Sequence, residues 1–436
     1  MAADVSAVLP GGIASDFYDA HETRDAAARE AALLAALPHQ IAHARRNTDA
    51  YGELLSDVDP EQVRTRAALA RLPVTRKSDL LARQQAVRAA RPSEPFGGFS
   101  AIGWRGLKRD SGARRVFQSP GAIYEPEGLG RDYWRLGRAL HAAGLRAGDL
   151  VHNSFSYHLT PAGAMMEGGA EALGCTVFAG GVGNTELQLQ AMAELRPQAY
   201  IGTPSFLKIL LDKAAEQGQS LSVRKALVSG EAFPPSLRDW CGERGVAGFQ
   251  CYATADLGLI AYETAARQGL VLDEGVILEI VRPGTGDPVP DGEVGEVVVT
   301  TLNPDYPLIR FGTGDLSAVL PGACPTGRTN VRIKGWMGRA DQSAKVRGMF
   351  VHAGQVAEVL RRFPEAGRGR LVVEGEMAQD RMTLKVEVDR QVPEGLGERI
   401  AVALREVTKL RGEVAFLAPG ALVNDGKVIE DLRKYE

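Results

Sequence analysis

The sequence predicts an α/β protein with a large N-terminal domain and a small C-terminal α+β domain. Between residues 130 and 255, short apolar strands alternate with helices of about ten to fifteen residues, which indicates βαβ units on a parallel sheet. From residue 276 to 320, strands follow one another between Gly, Pro and Asp turns, which predicts an antiparallel β layer. A chain of 436 residues is also long for one hydrophobic core, so two or three domains are expected.

The N-terminal elements begin with helices. Ala and Leu recur at helical spacing over about the first ninety residues. At 116–128 the stretch VFQSPGAIYEPEG is predicted to be an ordered loop rather than a strand or helix, because of its Gly, Pro and Ser content. A helix at 132–144 then precedes the strand 149–155, and four further helix–strand pairs end at 249–253. Parallel sheets bind ligands at the carboxyl ends of their strands, so the loops there are candidate sites.

The C-terminal segment has its own pattern of elements. A helix at 354–363 precedes two strands, 370–376 and 382–389, and a helix at 396–410 precedes a strand at 412–418. About one hundred residues in this order suit an independent α+β domain. We place the domain boundary so that residues 1–338 form the N-terminal domain and residues 339–436 the C-terminal one.

Composition excludes several classes of protein. The formal net charge is −3 and the pI about 6.2, so no basic field favours nucleic acid or anionic membranes. The sequence contains no apolar run of about eighteen residues, so no membrane span is expected. The N-terminus also lacks a signal-peptide pattern. The four cysteines contain no CxxC pair, which favours buried thiols in a reducing compartment. We expect a cytoplasmic protein that binds neither nucleic acid nor membrane.

Three segments in fixed order carry a family resemblance. They are YPLIRFGTGDL at 306–316, GRADQSAKVRG at 338–348 and NDGKVIEDLR at 424–433. They resemble, respectively, the "PxIRYRTxD" segment, the "GRxDDxxxxRG" hinge and the C-terminal lysine segment of the phenylacetate–CoA ligase family, within the adenylate-forming superfamily. The resemblance runs from about residue 72 to the C-terminus and implies that the small domain sits on a hinge.

The resemblance implies an AMP-forming acid–thiol ligase. ATP, Mg²⁺ and coenzyme A are the expected cofactors, and an aromatic or arylacetic acid is the expected substrate, with an amino-substituted ring as a variant. Two alternatives stay open. One is an adenylating enzyme that passes the acyl group to a carrier-protein thiol or an amine, and the other is a catalytically weakened binding protein with the ligase fold. A homodimer is suggested by the resemblance alone.

The resemblance also assigns roles to individual residues. Lys427 is the expected catalytic lysine, which reaches the α-phosphate and the attacking carboxylate, and Asp341 is the expected hinge residue. Asp256 takes the position of a metal-binding glutamate, so it is expected to hold Mg²⁺, directly or through water. The other nucleotide-binding candidates are Ser119, Glu231, Ala232, Tyr252, Asp315 and Arg339.

The expected phosphate loop departs from the family pattern. The superfamily usually has a loop similar to "SSGTTGKP" at this point, whereas 116–128 has no lysine and carries Glu125 and Glu127. Carboxylates near a triphosphate are unfavourable unless a cation intervenes. We expect a loop that shapes the nucleotide pocket but holds phosphate less completely, and a purely structural loop is the alternative. Gly312 also stands where an arginine is common.

A second departure concerns zinc. Some family members carry cysteines at the positions of Thr264 and Thr326, and only Cys324 remains here. One thiolate does not make a tetrahedral site, so no structural zinc is expected.

The segment 153–163 resembles the acyl-site segment of the family. Phe155, Tyr157, His158 and Gly180 are therefore the candidate acyl-pocket residues. His158 stands where the family usually has glycine. It either pairs with a substrate carboxylate or ring hydroxyl, or is a structural histidine, and the sequence leaves both interpretations open.

Overall fold

The structure is a computed structural model. It describes residues 7–8, 14–92, 94–103, 112–119, 123–338, 340, 343–346, 349–375, 381–388, 392–423 and 427–432. By its internal contacts the chain divides into two units. The first comprises Met1–Thr313 and Ala318–Trp336, and the second comprises Gly314–Ser317 and Met337–Glu436. This division does not test the predicted boundary between functional domains at residue 338, which stays a prediction.

The N-terminal region is mainly helical, as expected. Asp25 caps the longest helix, since its carboxylate accepts a hydrogen bond from the N–H of Ala28. Thr48 ends this helix and caps the next through the N–H of Tyr51. The elements in chain order are β1 Ala7–Val8, β2 Ala14–Ser15, α1 Ala26–Asn47, α2 Asp49–Leu54, α3 Arg66–Leu69, β3 Thr75–Arg76 and α4 Lys77–Ala90.

The stretch predicted to be a loop is instead a β-hairpin. Strands β4 Arg115–Ser119 and β5 Ile123–Glu127 pair antiparallel, with Ser119 opposite Ile123. The loop prediction was wrong because residues alternate along β4, with Phe117 and Ser119 buried and their neighbours partly exposed, and β5 pairs with it in register. Pro126 is tolerated because the sheet has only two strands and therefore only edges.

The parallel sheet predicted from the βαβ pattern is confirmed. It forms one side of a nine-stranded sheet with the strand order β16-β17-β12-β11-β10-β9-β8-β6-β7. Its parallel strands and their helices are α5 Gly137–Ala142, β6 Leu150–Asn153, α6 Ala162–Leu173, β7 Thr176–Ala179, α7 Thr185–Leu195, β8 Ala199–Gly202, α8 Pro204–Glu216, β9 Lys225–Val228, α9 Pro235–Glu243 and β10 Ala247–Thr254. The first of these helices is shorter than predicted. Asp132 and Arg135 have positive φ, and the Asp132 carboxylate accepts the N–H groups of Leu136 and Gly137.

Residues 258–333 extend this sheet and add a second one, and within this range Gly314–Ser317 belong to the second unit. Strands β10 to β12 run antiparallel, and a four-stranded sheet has the order β13-β14-β15-β3. The remaining strands are β11 Gly258–Glu263, β12 Leu270–Leu272, β13 Val276–Val281, β14 Gly295–Thr301, β15 Phe311–Ser317, β16 Val319–Leu320 and β17 Arg332–Ile333. Buried Arg310 donates to the carbonyl oxygens of Ala70 and Leu72, which holds the segment that leads into β3.

The second unit has the predicted α+β character and its own apolar core. Its main sheet has the order β22-β21-β20-β23, and β23 runs parallel to β20. A hairpin of β18 and β19 was not predicted. The elements of the second unit after residue 337 are β18 Ser343–Val346, β19 Met349–His352, α10 Ala353–Arg361, β20 Gly369–Glu374, β21 Arg381–Glu387, α11 Leu396–Thr408, β22 Glu413–Leu417 and β23 Ile429–Asp431. Among the described residues, no helix is long and apolar enough to cross a membrane.

Candidate active site

The β4–β5 hairpin brings a serine and a carboxyl group to the end of strand β10. The Ser119 hydroxyl donates to Glu125 Oε1 at 2.5 Å, and both residues are buried. Asp256, which follows β10, is also buried, and its Oδ2 accepts from Lys77 Nζ at 3.1 Å. The Glu125 and Asp256 side chains hydrogen-bond to each other, and Glu125 Oε2 and Asp256 Oδ1 have no other partner within the part of the chain that the structure describes. Ser119, Glu125, Asp256 and Lys77 are referred to below as the carboxyl cluster.

Glu125 is held in its neutral form. Burial, and next the negative charge of Asp256, raise the pKa of Glu125 to about 9. At neutral pH this carboxylic acid keeps its proton and adds no charge to the hairpin. Burial, and next the negative charge of Asp256, also raise the pKa of Tyr306.

The second acidic residue of the hairpin is neutralised in another way. Glu127 is buried and forms an ion pair with Arg115, through Nε and through Nη2 at 3.1 Å. The two glutamates that looked unfavourable for phosphate in the sequence therefore leave no unpaired negative charge in this hairpin.

Glu125→Gln should reduce the pH dependence of folding stability. The unfolded chain releases the Glu125 proton near the ordinary pKa of 4.5, whereas the folded chain keeps it up to about 9. Stability is therefore lost as pH rises through this window, by about 1.4 kcal/mol per pH unit. Glutamine carries no such proton, so urea unfolding at pH 6 and pH 8.5 should show a smaller loss for the variant.

Glu127→Gln is the matched control for this measurement. Its carboxylate is paired with Arg115, so its loss should lower stability at both pH values and leave the difference between them unchanged. An equal pH dependence in wild type and Glu125→Gln would show that Glu125 is ionised in the folded protein.

An apolar cavity of about 150 Å³ adjoins the carboxyl cluster. It lies at the carboxyl ends of the parallel strands, where the βαβ pattern places ligands. The cavity is lined by Ser119, Phe155, Thr160, Pro161, Ala162, Met165, Met166, Ser229, Gly230, Ala253, Thr254 and Ala255. None of these side chains is charged, so the cavity suits an apolar group.

Of the four predicted acyl-pocket residues, Phe155 lines this cavity and the other three lie elsewhere. The Tyr157 hydroxyl accepts from Asn153 Nδ2 at 2.8 Å. His158 is exposed, and its N–H donates to Ser156 Oγ. Gly180 donates its N–H to the Asn153 carbonyl oxygen at the end of β6.

The predicted adenine-side residues lie after strand β9 and within β10. Glu231 is exposed and accepts from the N–H of Ser205 at 3.3 Å, and Ala232 is also exposed. Tyr252 is half-buried in β10. These residues and the cavity belong to the first unit.

The remaining predicted residues either belong to the second unit or lie outside the residues that the structure describes. Asp315 is half-buried on β15, within the segment Gly314–Ser317. Lys427 is exposed just before β23, and its carbonyl oxygen accepts from Arg370 Nε at 3.1 Å. Arg339 and Asp341 lie outside the described residues.

The three positions at which some relatives carry zinc-binding cysteines meet in space. Cys324 Sγ lies 3.1 Å from Thr326 Oγ1 and 3.9 Å from Thr264 Oγ1. No group of three or more His, Cys, Asp or Glu residues that could hold a metal occurs in the described ranges. The absence of a structural zinc stays a prediction.

Sequence reasoning missed Lys77, although the sequence contains a signal for it. Lys77 is the first residue of α4, where the positive end of the helix dipole disfavours a lysine. A cation at this position therefore indicates a role other than helix stability. Glu125 was identified, but its neutral form depends on Asp256, which lies far away in the sequence.

Comparisons with known proteins agree on one family. The AMP-binding enzyme model matches residues 154–303. A phenylacetate-coenzyme A ligase of Thermus thermophilus is 33% identical over 383 residues, which cover 84% of this chain and 82% of that protein. A phenylacetate-coenzyme A ligase of Aromatoleum evansii is 31% identical, over 81% of this chain and 79% of that protein. A crystal structure of 2-hydroxyisobutyryl-CoA ligase, with 2-HIB-AMP and CoA, superposes with a TM-score of 0.80 at 24% identity. It covers 94% of this chain and 93% of that chain, and this likeness supports the fold.

Proposed function

The chain belongs to the phenylacetate–coenzyme A ligase family, and we propose from this membership and its site that it activates an apolar carboxylic acid with ATP and transfers the acyl group to coenzyme A. In the first half-reaction the acid attacks the α-phosphate of ATP, which yields an acyl-adenylate and pyrophosphate. In the second, the coenzyme A thiol takes the acyl group and AMP leaves. Both steps depend on positioning and on stabilising charge at phosphate, so the protein needs cations and an enclosed acyl site.

The observation that carries this proposal is the junction of the cavity with the carboxyl cluster. Ser119 lines the cavity and donates to Glu125, and Ala255 lines it directly before Asp256. An acid whose apolar part fills the cavity would therefore present its carboxylate next to the charged groups.

The cavity supports an arylacetic or aromatic acid without a charged ring substituent. Its volume of about 150 Å³ accommodates a single ring, and its walls are largely apolar. Two of its hydroxyl groups already donate, Ser119 to Glu125 and Ser229 to the Cys251 carbonyl oxygen. A hydroxyl or amino group on the ring would therefore find few partners, which disfavours the amino-substituted variant.

Asp256 and Lys77 suit the charged part of ATP. Asp256 is a buried carboxylate beside Lys77 and the neutral carboxyl group of Glu125, and carboxylate oxygens fit a hard cation such as Mg²⁺. Mg²⁺ bound there would neutralise phosphate charge. We further propose that Lys77 supplies the lysine that the hairpin itself lacks, because its Nζ lies beside Asp256.

The other assignments follow the family resemblance. We propose that Ser119, Glu231, Ala232, Tyr252, Asp315 and Arg339 contact the nucleotide. Lys427 would act on the α-phosphate from the C-terminal domain, residues 339–436, which would turn at Asp341 between the two half-reactions. Use of ATP and coenzyme A also favours a cytoplasmic location.

Pyrophosphate release with Mg-ATP should depend on the acid supplied. A panel of phenylacetate, benzoate, 4-hydroxyphenylacetate, 2-aminobenzoate and straight-chain acids, each with and without coenzyme A, tests the proposal. Release should be fastest with the unsubstituted aryl acids, and coenzyme A should stimulate turnover. If turnover is stimulated only by an amine or a carrier-protein thiol, the assignment of coenzyme A as the acceptor is wrong. If ATP does not bind, the proposal as a whole is wrong.

A further inference from the structure

The side chain of Arg76 crosses strand β15 to reach a buried carboxylate. Arg76 lies on β3 and is the register partner of Gly312 on β15. Its Nη1 donates to both oxygens of Glu296, at 2.6 and 2.8 Å. Glu296 lies on β14, on the far side of β15, and its side chain is only 1% exposed. The ion pair therefore spans three strands and passes over Gly312.

Gly312 leaves the space that this ion pair occupies. A Cβ atom added there would lie 2.8 Å from Glu296 Oε1, 3.1 Å from Val74 Cγ1 and 3.4 Å from Arg76 Nη1. Gly312 does not have a positive φ, so its backbone conformation is open to other residues. Glycine is therefore needed for space, and an arginine side chain at 312 would start where the Arg76–Glu296 pair already lies.

We propose that Arg76 is a positioning residue that replaces an arginine at 312 as the partner of Glu296 and thereby holds Lys77 against Asp256. The inference rests on the role of Lys77 in the proposed function. While Arg76 occupies the space beside Glu296, position 312 has no room for a second side chain that could pair with the same carboxylate.

The consequence for Lys77 follows from the chain. Strand β3 has only two residues, and Lys77 follows Arg76 directly as the first residue of α4. The Arg76 side chain anchors this junction to the sheet, and the Arg76 N–H donates to Asp79 Oδ2 within the same turn. Without the anchor, no side-chain ion pair would tie this junction to the sheet, and the position of Lys77 Nζ, 3.1 Å from Asp256, would rest on the two-residue β3 pairing and on backbone hydrogen bonds.

An arginine exchange tests the inference. Arg76→Ala should lower kcat/KM for ATP in the adenylation assay by about tenfold, since a misplaced cation stabilises phosphate charge less well. Gly312→Arg should cause a similar loss by displacing the existing pair. The double variant Arg76→Ala/Gly312→Arg should recover to within about threefold of wild type, in both kcat/KM and the urea midpoint.

A double-mutant cycle with Lys77 separates positioning from a general structural role. If Arg76 acts through Lys77, Arg76→Ala should cost little once Lys77 is already alanine. If the losses in kcat/KM of Arg76→Ala and Lys77→Ala multiply in the double variant, the positioning role is overturned. A double exchange variant that fails to fold, or that is no better than the single variants, would overturn the exchange itself. If wild type releases no pyrophosphate with any acid, the proposed function fails, whereas the urea midpoints still decide whether arginine at 312 replaces Arg76.

Discussion

Lys427→Ala should lower acid-dependent pyrophosphate release by about 10²–10³-fold, with little change in folding stability. The proposed role of Lys427 is to place a compact positive charge on the α-phosphate while the carboxylate attacks it. Negative charge builds up in that transition state, so the loss should appear in kcat rather than in the affinity for the acid.

The structure explains why the change should be local. Lys427 is exposed, whereas the backbone around it is anchored. Arg370 Nε donates to its carbonyl oxygen, and the N–H of Leu371 on β20 donates to the carbonyl oxygen of Val428. An alanine at 427 keeps these backbone bonds, so the urea midpoint should stay within error of wild type.

Two controls make this prediction specific. Lys385→Ala removes a lysine from β21 of the same unit and should leave pyrophosphate release unchanged. Thioester formation from preformed acyl-adenylate should be much less sensitive to Lys427→Ala, because that step does not build the same charge on phosphate. Equal losses in both half-reactions would contradict the assignment of Lys427 to adenylation.

Lys77→Ala should raise KM for ATP and lower kcat/KM for ATP on the order of 10²-fold. The variant removes the positive charge beside Asp256 and leaves that buried carboxylate without its 3.1 Å ion pair. The ATP phosphates then lose the attraction of the Lys77 ammonium group and are repelled by the Asp256 carboxylate, which Lys77 no longer neutralises. Binding of ATP, measured by calorimetry without acid, should weaken in parallel.

Lys225→Ala is the matched control for Lys77. Lys225 has a similarly exposed side chain, 31% against 38%, and also pairs with an aspartate, since its Nζ lies 2.8 Å from Asp149 Oδ2. Its loss should affect stability to a similar degree and leave KM for ATP unchanged. A Lys77→Ala variant with wild-type affinity for ATP would show that Lys77 only supports Asp256.

The sequence predicts the parallel sheet well because each strand and helix there carries its own pattern. The short apolar strands around Val151, Ile201 and Leu227 are fully buried, and periodicity and turn residues suffice to find them. The hairpin of Arg115–Ser119 and Ile123–Glu127 was missed, since Pro120, Gly121 and Gly128 adjoin its short strands and outweighed their alternation in the sequence. Helix α5 begins later than predicted because Asp132 caps it at Leu136, a tertiary detail that periodicity does not contain.

The candidate site was predictable only where its residues stand in ordered motifs. Asp256, Asp315 and Lys427 became candidates through their neighbours in the chain, and their roles stay predictions. Lys77 was missed because a lysine at a helix start indicates only a role other than helix stability, whereas the partner that defines this role, Asp256, lies 179 residues away. The neutral state of Glu125 was missed for the same reason, since burial against Asp256 exists only in the folded chain.

The ion pair over Gly312 also constrains how this protein could have evolved. If one arginine must face Glu296, an ancestor with arginine at 312 could not exchange it for glycine without first losing the ion pair. Nor could it gain Arg76 first, because a side chain at 312 would lie 2.8 Å from the Glu296 oxygen to which Arg76 donates. Either order passes through a less fit intermediate, so positions 76 and 312 should be epistatic. Among related sequences, arginine at one position should accompany a small residue at the other.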